Sequence, residues 1–382
     1  MTQYPWGAYS GPMKAAVVLL VALVGCSSDP KWDWPTSTPE EQGMNSATLQ
    51  GAYTYAFQPG KHTQGVVVIR HGVLVAEWYE DGRDANSYAA SWSMAKSVTS
   101  ALVGIAIHDH KIPSVQAKLV DYYPQWAGSP RDQITIEHTL HMATGLMWDE
   151  DYVIEHASSS DVVHLVFTTD DPLDFVVGKP AEFPPNTMFE YSSGNTLLLS
   201  GVLQKATGKR AGDYAQDKLF HKLDIEDAQW WRAKTGETLT YCCLDMTSRD
   251  FARIGQLYLH RGNWNGEQIV PADWVDASIT SSPVYAGYGY QWWLDGKVNS
   301  NLPADLFLAD GHDGQFIYVI PSLDLVVVRN GHYDKFDGPA IADPQLFLRY
   351  PSDGLTPGGG TIPPDEWTHE EFLRPIIASI SG

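Results

Sequence analysis

Four consecutive residues, Ser93 to Lys96, combine a hydroxyl with an amine at the spacing of one helical turn. They read Ser-Met-Ala-Lys. Residues at i and i+3 share one face of a helix, so the amine can reach the hydroxyl. A serine attacks a carbonyl only after a base takes its proton, and a lysine acts as that base when burial lowers its pKa. The pair is therefore a candidate nucleophile and base for acyl transfer.

The same spacing occurs a second time, at Ser28 and Lys31, beside Pro30. Spacing alone therefore does not identify a site, and location has to decide. Only Ser93 stands at the predicted start of an apolar helix that follows a predicted hairpin.

Two later motifs carry complementary groups. Tyr191 opens the string Tyr-Ser-Ser, and a phenol near a lysine can pass as phenolate and so relay a proton to a leaving group. Residues 311–315 read Gly-His-Asp-Gly-Gln and enter a predicted strand. A glycine there allows the backbone to pass close to a ligand, and the amides of Gln315 and Ser93 could then form an oxyanion hole. Taken alone, each motif also fits a strand end or an ordinary turn.

Together and in this order, the three motifs resemble those of serine β-lactamases and penicillin-binding proteins, namely S-x-x-K, Y-x-N/S and K-T-G or H-x-G. The resemblance runs from about Pro39 to the C-terminus. Within that superfamily the chain is most similar to the branch of 6-aminohexanoate-dimer (nylon-oligomer) hydrolases and related carboxylesterases. The strings that carry this similarity are Ser93–Ser97, Met142–Leu146, Glu150–Tyr152, Tyr191–Thr196 and Thr247–Arg253.

The resemblance implies a β-lactamase-like fold of the α/β (α+β) class, with a central antiparallel sheet flanked by helices and a mostly helical subdomain. It implies Ser93 as the acylated nucleophile, Lys96 as its base and Tyr191 as the proton relay. No metal or organic cofactor is implied. The positions expected to contact the substrate, with Gln315 included for its predicted amide contact, are Tyr152, Ser193, His312, Gly314 and Gln315.

Two positions depart from the family pattern. His312 replaces the lysine of K-T-G, which weakens the attraction for a β-lactam carboxylate, and Ser193 replaces the asparagine of Y-x-N. We therefore expect a small-molecule ester or linear amide to be cleaved through an acyl-serine intermediate. One alternative is a β-lactamase or D-Ala-D-Ala peptidase. Another is a non-catalytic envelope protein of the same fold, against which the intact Ser93, Lys96 and Tyr191 argue.

The hydrophobic pattern predicts the elements that position these motifs. Strands from both ends of the chain are expected to join one antiparallel sheet, around a mostly helical insertion at about 110–280. A proline is expected to kink the last helix or to mark its start. The predicted elements are a helix capped by Asn45, strands Val66–Ile69 and Val73–Ala76, helices Ser93–Ile107 and Asp250–His260, strands Tyr288–Trp293, Gln315–Ile320 and Leu325–Val328, and a helix with Thr368, Glu371 and Pro375.

Composition excludes some classes of function. Among 382 residues, 43% are hydrophobic and 19% are charged, a globular mixture. Lys plus Arg number 25 against 46 Asp plus Glu, which gives a formal net charge of −21. Without a basic cluster, we expect no binding to nucleic acid or to an anionic membrane surface.

The N-terminal segment reads as a secretion signal. One lysine precedes a short apolar run that is too short to span a bilayer, and Leu-Val-Gly-Cys then ends at Cys26, as in a bacterial lipobox. We predict a lipoprotein signal peptide at 1–25, a tether at 26–38 and the hydrolase domain at 39–382. The protein would then lie in the cell envelope, touching a membrane only through lipid on Cys26.

Cys242 and Cys243 are the only other cysteines. They can pair with each other in a strained ring or with another chain. We expect two buried, reduced thiols.

Cys26→Ala is expected to block lipid attachment and to move the protein from the membrane fraction to soluble or unprocessed material. Metabolic labelling with palmitate measures this directly. Wild-type protein that incorporates no palmitate would contradict the lipobox interpretation.

Overall fold

A computed structural model describes residues 33–152, 159–167, 169–331 and 367–380. The described residues from Trp34 onward form one compact unit. The predicted signal peptide and Cys26 lie outside the described residues. So does the Gly/Pro-rich stretch Pro351–Pro364, which its composition predicts to be a loop. Within the described ranges, no helix is both long and apolar enough to cross a bilayer.

Strands and helices alternate in blocks along the chain. The strands are β1 (Thr63–Arg70), β2 (Val73–Tyr79), β3 (Tyr88–Ala90), β4 (Gln229–Trp230), β5 (Leu244–Thr247), β6 (Asn263–Trp264), β7 (Glu267–Gln268), β8 (Phe307–Gly311), β9 (Gln315–Ile320) and β10 (Leu325–Gly331). The α-helices are α1 (Ser46–Ala56), α2 (Met94–His108), α3 (Ile136–Leu140), α4 (Asp161–Phe167), α5 (Pro172–Val177), α6 (Ser193–Thr207), α7 (Ala211–Ala215), α8 (Ser248–Leu259), α9 (Ala272–Ser278), α10 (Asp295–Val298) and α11 (His369–Ser379).

The main sheet joins strands from both ends of the chain, as predicted. Its order is β2-β1-β10-β9-β8, and every neighbouring pair is antiparallel. All residues of β1, β9 and β10 are buried, which explains their near-continuous apolar sequences. Strand β8 is one edge of this sheet.

Helices cover both faces of the sheet. On one face, α1 and α11 share a hydrophobic cluster with β1 and β10, including Leu49, Val68, Val327 and Phe372. On the other face, α8 packs close enough that a Cβ at Gly255 would lie 2.6 Å from a methyl group of Val326. Helix α8 thus packs on the sheet, although its residues lie within the range of the predicted helical insertion.

The predicted strand Tyr288–Trp293 is not formed. Gln291 has φ 63°, in the left-handed region, which interrupts an extended run. The segment instead borders β8, where Trp293 and Leu308 exchange two backbone hydrogen bonds of 2.9 and 3.0 Å. The third late strand is β8, which the sequence analysis did not predict.

Asn45 and Thr368, both named from the sequence at helix starts, are N-caps in the structure. Asn45 accepts a hydrogen bond from the Thr48 N–H at 2.8 Å and caps α1, as predicted. Helix α11 begins at His369 after the capping residue Thr368, so Pro375 lies inside the helix and does not mark its start. A Cβ at Gly51 of α1 would lie 2.9 Å from the Pro375 Cβ, so the proline ring packs at the α1–α11 contact.

Candidate active site

Ser93 and Lys96 lie one turn apart at the start of α2, as the motif predicted. Ser93 occupies the N-cap position, and Trp92 before it has φ 41°, which turns the chain sharply into the helix. The Lys96 Nζ lies 2.8 Å from the Ser93 Oγ. The hydroxyl and the amine are therefore in direct contact.

Lys96 is buried because α2 is surrounded by protein on every side along most of its length. Its side chain is 1% exposed, and Met94 to Ala106 are all buried. Burial lowers the pKa of Lys96 to about 8, while the nearby charges of Glu150 and Asp310 act in the opposite direction. A substantial fraction of the amine is thus neutral near pH 8.

Two further hydrogen bonds orient the amine. The Lys96 Nζ lies 3.1 Å from the Ser193 Oγ and 2.9 Å from the backbone carbonyl of Tyr241. Its three donors thus meet three oxygen atoms from three separate segments.

Helix α6 brings the second motif to the same place. Ser192 caps this helix by accepting from the Asn195 N–H at 3.1 Å, so Ser193 is its first residue. The aromatic ring of Tyr191 lies 4.9 Å from the Lys96 Nζ. Burial raises the pKa of Tyr191 well above its usual value, and a hydrogen bond with Ser93 only partly opposes this. The phenol is therefore protonated before any proton transfer begins.

Buried polar side chains hold α2 and α6 together. Gln291 accepts a hydrogen bond from Thr196 of α6 at 2.6 Å, while its backbone carbonyl accepts one from Ser97 of α2 at the same distance. Thr240 donates to the carbonyl of Thr196, and its own carbonyl accepts from Thr99, both at 2.9 Å. The starts of the two helices are thus fixed relative to each other.

Sequence reasoning quoted Glu150 only as part of a motif and missed its structural role. Its carboxylate accepts from the backbone N–H and the hydroxyl of Ser193, at 2.8 and 2.6 Å. It also accepts from the Tyr152 hydroxyl at 2.6 Å and from the Trp148 indole N–H. Glu150 therefore orients both Ser193 and Tyr152. The only sequence signal was its place two residues before Tyr152.

Tyr152 and His312 meet at the open side of the site. Tyr152 is 43% exposed, and its ring stacks on His312 with centroids 4.8 Å apart. Trp92 contacts the same imidazole edge to face at 5.9 Å. Burial lowers the pKa of His312 to about 4, so the ring is neutral at pH 7.

The third motif forms a tight turn between β8 and β9. Asp313 and Gly314 both have positive φ. A Cβ at Gly311, just before the turn, would collide with the Ser91 carbonyl oxygen and lie 3.2 Å from the Ser93 nitrogen. Only glycine permits this approach of the strand to the nucleophile segment.

The hydrogen-bonding pattern of β8 corrects the role predicted for Gln315. Leu308 directs its N–H and C=O away from β9, to Trp293. These directions alternate along a strand, so the carbonyl of Gly311 faces its partner Gln315. Across the trans peptide, the N–H of His312 then points to the open edge. The Gln315 N–H faces Gly311 instead, and its buried side chain binds Gly331 at 2.8 Å.

A buried arginine supports this turn from β10. Arg329 is fully buried and donates to the carbonyls of Asp313 and Gly314, at 3.0 and 2.7 Å. It also donates to the Thr63 hydroxyl and to the Lys61 carbonyl. The backbone beside His312 is thus held from behind.

Cys242 and Cys243 are buried, but they are joined in a disulfide rather than reduced. This corrects the expectation of two free thiols. The bridge links adjacent residues that directly follow Tyr241, whose carbonyl binds Lys96.

The assembled groups are those of acyl transfer to a serine. Four groups converge here, and each is an ordinary component of nucleophilic catalysis. They are the Ser93 hydroxyl, the buried Lys96 amine, the neutral Tyr191 phenol and the His312 amide at the edge of β8. Within the described ranges, no three His, Cys, Asp or Glu side chains are grouped so that they could hold a metal ion.

Comparison with known proteins identifies the family and the fold. The Beta-lactamase family model matches residues 40–346. A 6-aminohexanoate-dimer hydrolase from Paenarthrobacter ureafaciens is 28% identical over 294 residues, which cover 70% of this chain and 72% of the relative.

Two solved structures show the same fold. A penicillin-binding protein homolog from Caulobacter crescentus has a TM-score of 0.64 at 13% identity, covering 91% of this chain and 100% of that one. A family VIII carboxylesterase has a TM-score of 0.60 at 14% identity, covering 83% and 97%. The predicted β-lactamase-like fold is confirmed. Because the family model matches well over half of the chain, the protein belongs to the Beta-lactamase family of serine-type hydrolases, as the resemblance predicted.

Proposed function

We propose that the protein is an exported serine hydrolase that cleaves an ester or a linear amide through an acyl-Ser93 intermediate. The observation that carries the proposal is the buried amine of Lys96, which lies 2.8 Å from the Ser93 hydroxyl. A buried amine in contact with a helix-start serine has little structural value that a hydrophobic residue would not supply. A role as the base that takes the Ser93 proton explains the buried amine better.

In the first step, neutral Lys96 accepts the Ser93 proton as the Oγ attacks the substrate carbonyl. With a pKa of about 8, roughly a tenth of the amine is neutral at pH 7. Ser193 and the Tyr241 carbonyl keep the nitrogen in place during the transfer. Water later attacks the acyl-enzyme, and the same base takes its proton.

Tyr191 acts as a neutral relay. Its phenol hydrogen-bonds Ser93 and lies beside the amine, so it can pass a proton to the departing group and regain one from Lys96. An amide nitrogen needs that proton as the bond breaks. A phenolate ester leaving group does not.

We assign the oxyanion hole to the backbone amides of Ser93 and His312. The edge of β8 is open at His312, and Gly311 lies against the Ser91–Ser93 segment. Two amides at such a position stabilise the negative charge of a tetrahedral intermediate. Arg329 would keep the second amide in register with the first.

The substrate class follows from the open side of the site. His312 is neutral and therefore offers a substrate carboxylate less attraction than a lysine would. Tyr152 presents a phenol ring there, and the relative named above is a 6-aminohexanoate-dimer hydrolase. We infer that short esters and linear amides fit better than β-lactams.

An activity panel tests this proposal. Short-chain p-nitrophenyl esters should be cleaved readily, aminohexanoate oligomers slowly or not at all, and nitrocefin poorly. Ser93→Ala should lower ester turnover by at least about 10³-fold and abolish fluorophosphonate labelling. Ser28→Ala, the matched control, should change neither. Tyr152→Phe should reduce any amide hydrolysis more than ester hydrolysis.

Three outcomes would change this assignment. Labelling that survives Ser93→Ala would remove the mechanism. Nitrocefin turnover that exceeds every ester, with no effect of His312→Lys, would favour a β-lactamase or peptidase. A wild-type protein that turns over nothing in the panel and takes no label would favour a non-catalytic envelope protein.

Ionisation of Lys96 should determine how kcat/KM falls on the acid side of the pH profile, called its acid limb below. Because the neutral amine is the base, kcat/KM should rise with pH through about 8. Lys96→Arg should lower activity by about 10²–10⁴-fold, since a guanidinium does not release its proton. Stopped assays across pH 5–10 measure both effects. Near wild-type activity in Lys96→Arg would assign the base to another group.

Glu150→Gln should have two separable effects. Its negative charge raises the pKa of Lys96, so removing it should move the acid limb to lower pH. The plateau should fall about tenfold because Ser193 and Tyr152 lose a charged acceptor. Glu137→Gln is the control, since Glu137 also accepts from a tyrosine hydroxyl, that of Tyr290. An unshifted limb in Glu150→Gln would contradict this electrostatic role.

A further inference from the structure

The disulfide lies in the segment that connects the base to the nucleophile. On one side of it, the Tyr241 carbonyl accepts from the Lys96 Nζ at 2.9 Å. On the other side, Leu244 is bound to Ser91, two residues before the nucleophile. The Leu244 N–H donates to the Ser91 hydroxyl, and its carbonyl accepts from the Ser91 N–H, both at 2.9 Å.

A disulfide between adjacent residues closes a small ring that contains their peptide bond. The nitrogen of that ring's first residue, Cys242, is bonded directly to the Tyr241 carbonyl carbon. Cys243 has φ 67°, a conformation that costs a non-glycine residue free energy unless its surroundings impose it. Opening the ring removes one constraint that holds the backbone there.

The surroundings of the ring are dry and partly rigid. Cys242 and Cys243 are 3% and 4% exposed. The Trp230 indole N–H donates to the Cys242 carbonyl at 2.9 Å, and the Trp231 N–H donates to the Cys243 carbonyl at 3.0 Å. These bonds hold the carbonyls of the two cysteines. The Tyr241 carbonyl belongs to the Tyr241–Cys242 peptide, which lies just outside the ring and whose N–H donates to the Leu239 carbonyl at 3.1 Å. This peptide is joined to the ring at the Cys242 Cα, so the ring constrains one of its two ends.

We propose that the Cys242–Cys243 disulfide is a positioning device for the general base, so that the oxidation state of this pair sets the activity of the enzyme. The inference rests on the proposed role of Lys96 as base. The disulfide accepts two electrons and two protons from a dithiol reductant, which becomes a disulfide, and two thiols result. In that state the Tyr241 carbonyl turns away from the amine.

The direction of the effect on pH dependence follows from the groups around the amine. Glu150 supplies negative charge, Asp310 is a second acid whose pKa burial raises to about 8, and the phenols of Tyr191 and Tyr241 are neutral. The Tyr241 carbonyl favours the ammonium form because it accepts a hydrogen bond from it. Losing that acceptor should therefore move the acid limb to lower pH, while a poorly oriented amine lowers the plateau.

The test compares the full chain before and after tris(2-carboxyethyl)phosphine, which takes the oxygen of one water molecule as it yields two thiols. Mass and thiol titration establish the state of the pair. With a p-nitrophenyl ester, reduction should lower kcat about tenfold, leave KM nearly unchanged and shift the acid limb to lower pH. Cys242→Ser/Cys243→Ser should reproduce the reduced enzyme and ignore the phosphine. Cys26→Ser should respond as the wild type does.

If the phosphine does not reach the buried sulfur atoms, the double serine variant alone tests the proposal. A thermal unfolding curve then shows whether this variant is folded. If the serine pair is unfolded, Cys242→Ala/Cys243→Ala replaces it. Two free thiols in the protein purified without reductant would overturn the proposal. So would equal kcat and an equal acid limb in the oxidised, reduced and variant proteins. Absence of Ser93-dependent turnover in the oxidised wild type would instead mean that the proposed function has failed.

Discussion

The architecture around Ser93 depends on keeping one amine out of water. A lysine that is 1% exposed loses its hydration, and each donor of its ammonium form then requires an oxygen from the protein. Three segments supply those oxygen atoms, at the starts of α2 and α6 and in the turn at Tyr241. The burial of α2 and the hydrogen bonds of Gln291 to α2 and α6 keep these oxygen atoms in place. A shift of α2 or α6 would leave the buried charge of Lys96 without a partner.

Opposing effects tune that amine. Burial alone favours the neutral form, while Glu150 and Asp310 favour the charged one. Burial also raises the pKa of Asp310 to about 8, with a further contribution from Asp295, so this acid is itself poorly ionised. Four hydrogen-bond donors converge on the carboxylate of Glu150, the other acid near the base. It is at once the electrostatic partner of the base and the support of the cleft wall.

Features that depend on residues close together in the sequence could be predicted from it. Ser93 and Lys96 are three residues apart on one helix, and the apolar runs of β1, β9 and β10 reflect burial on both faces. The family, the fold and the convergence of Ser93, Lys96 and Tyr191 therefore followed from short patterns taken in order.

Contacts between distant segments were harder to predict. Glu150 meets Ser193 across 43 positions of sequence, with no periodicity to indicate it. The five-residue strand β8 ends in Asp-Gly and lacks a β-branched run, whereas the aromatic segment at 288–293 imitates a strand until Gln291 breaks it. The redox state of Cys242 and Cys243 depends on the backbone conformation that their turn adopts, which adjacency alone does not decide.

The pairing of β1 with β10 has a consequence for how the chain reaches this structure. Val67 faces Val328, about 260 positions later, across the centre of the main sheet. The hairpin of β1 and β2 therefore has no central partner until nearly the whole domain has been synthesised. Closing so long a loop is entropically costly, and an apolar strand that waits unpaired invites aggregation. We expect this sheet to assemble late in folding, and the β1–β2 hairpin to expose an unpaired apolar edge until β10 is present.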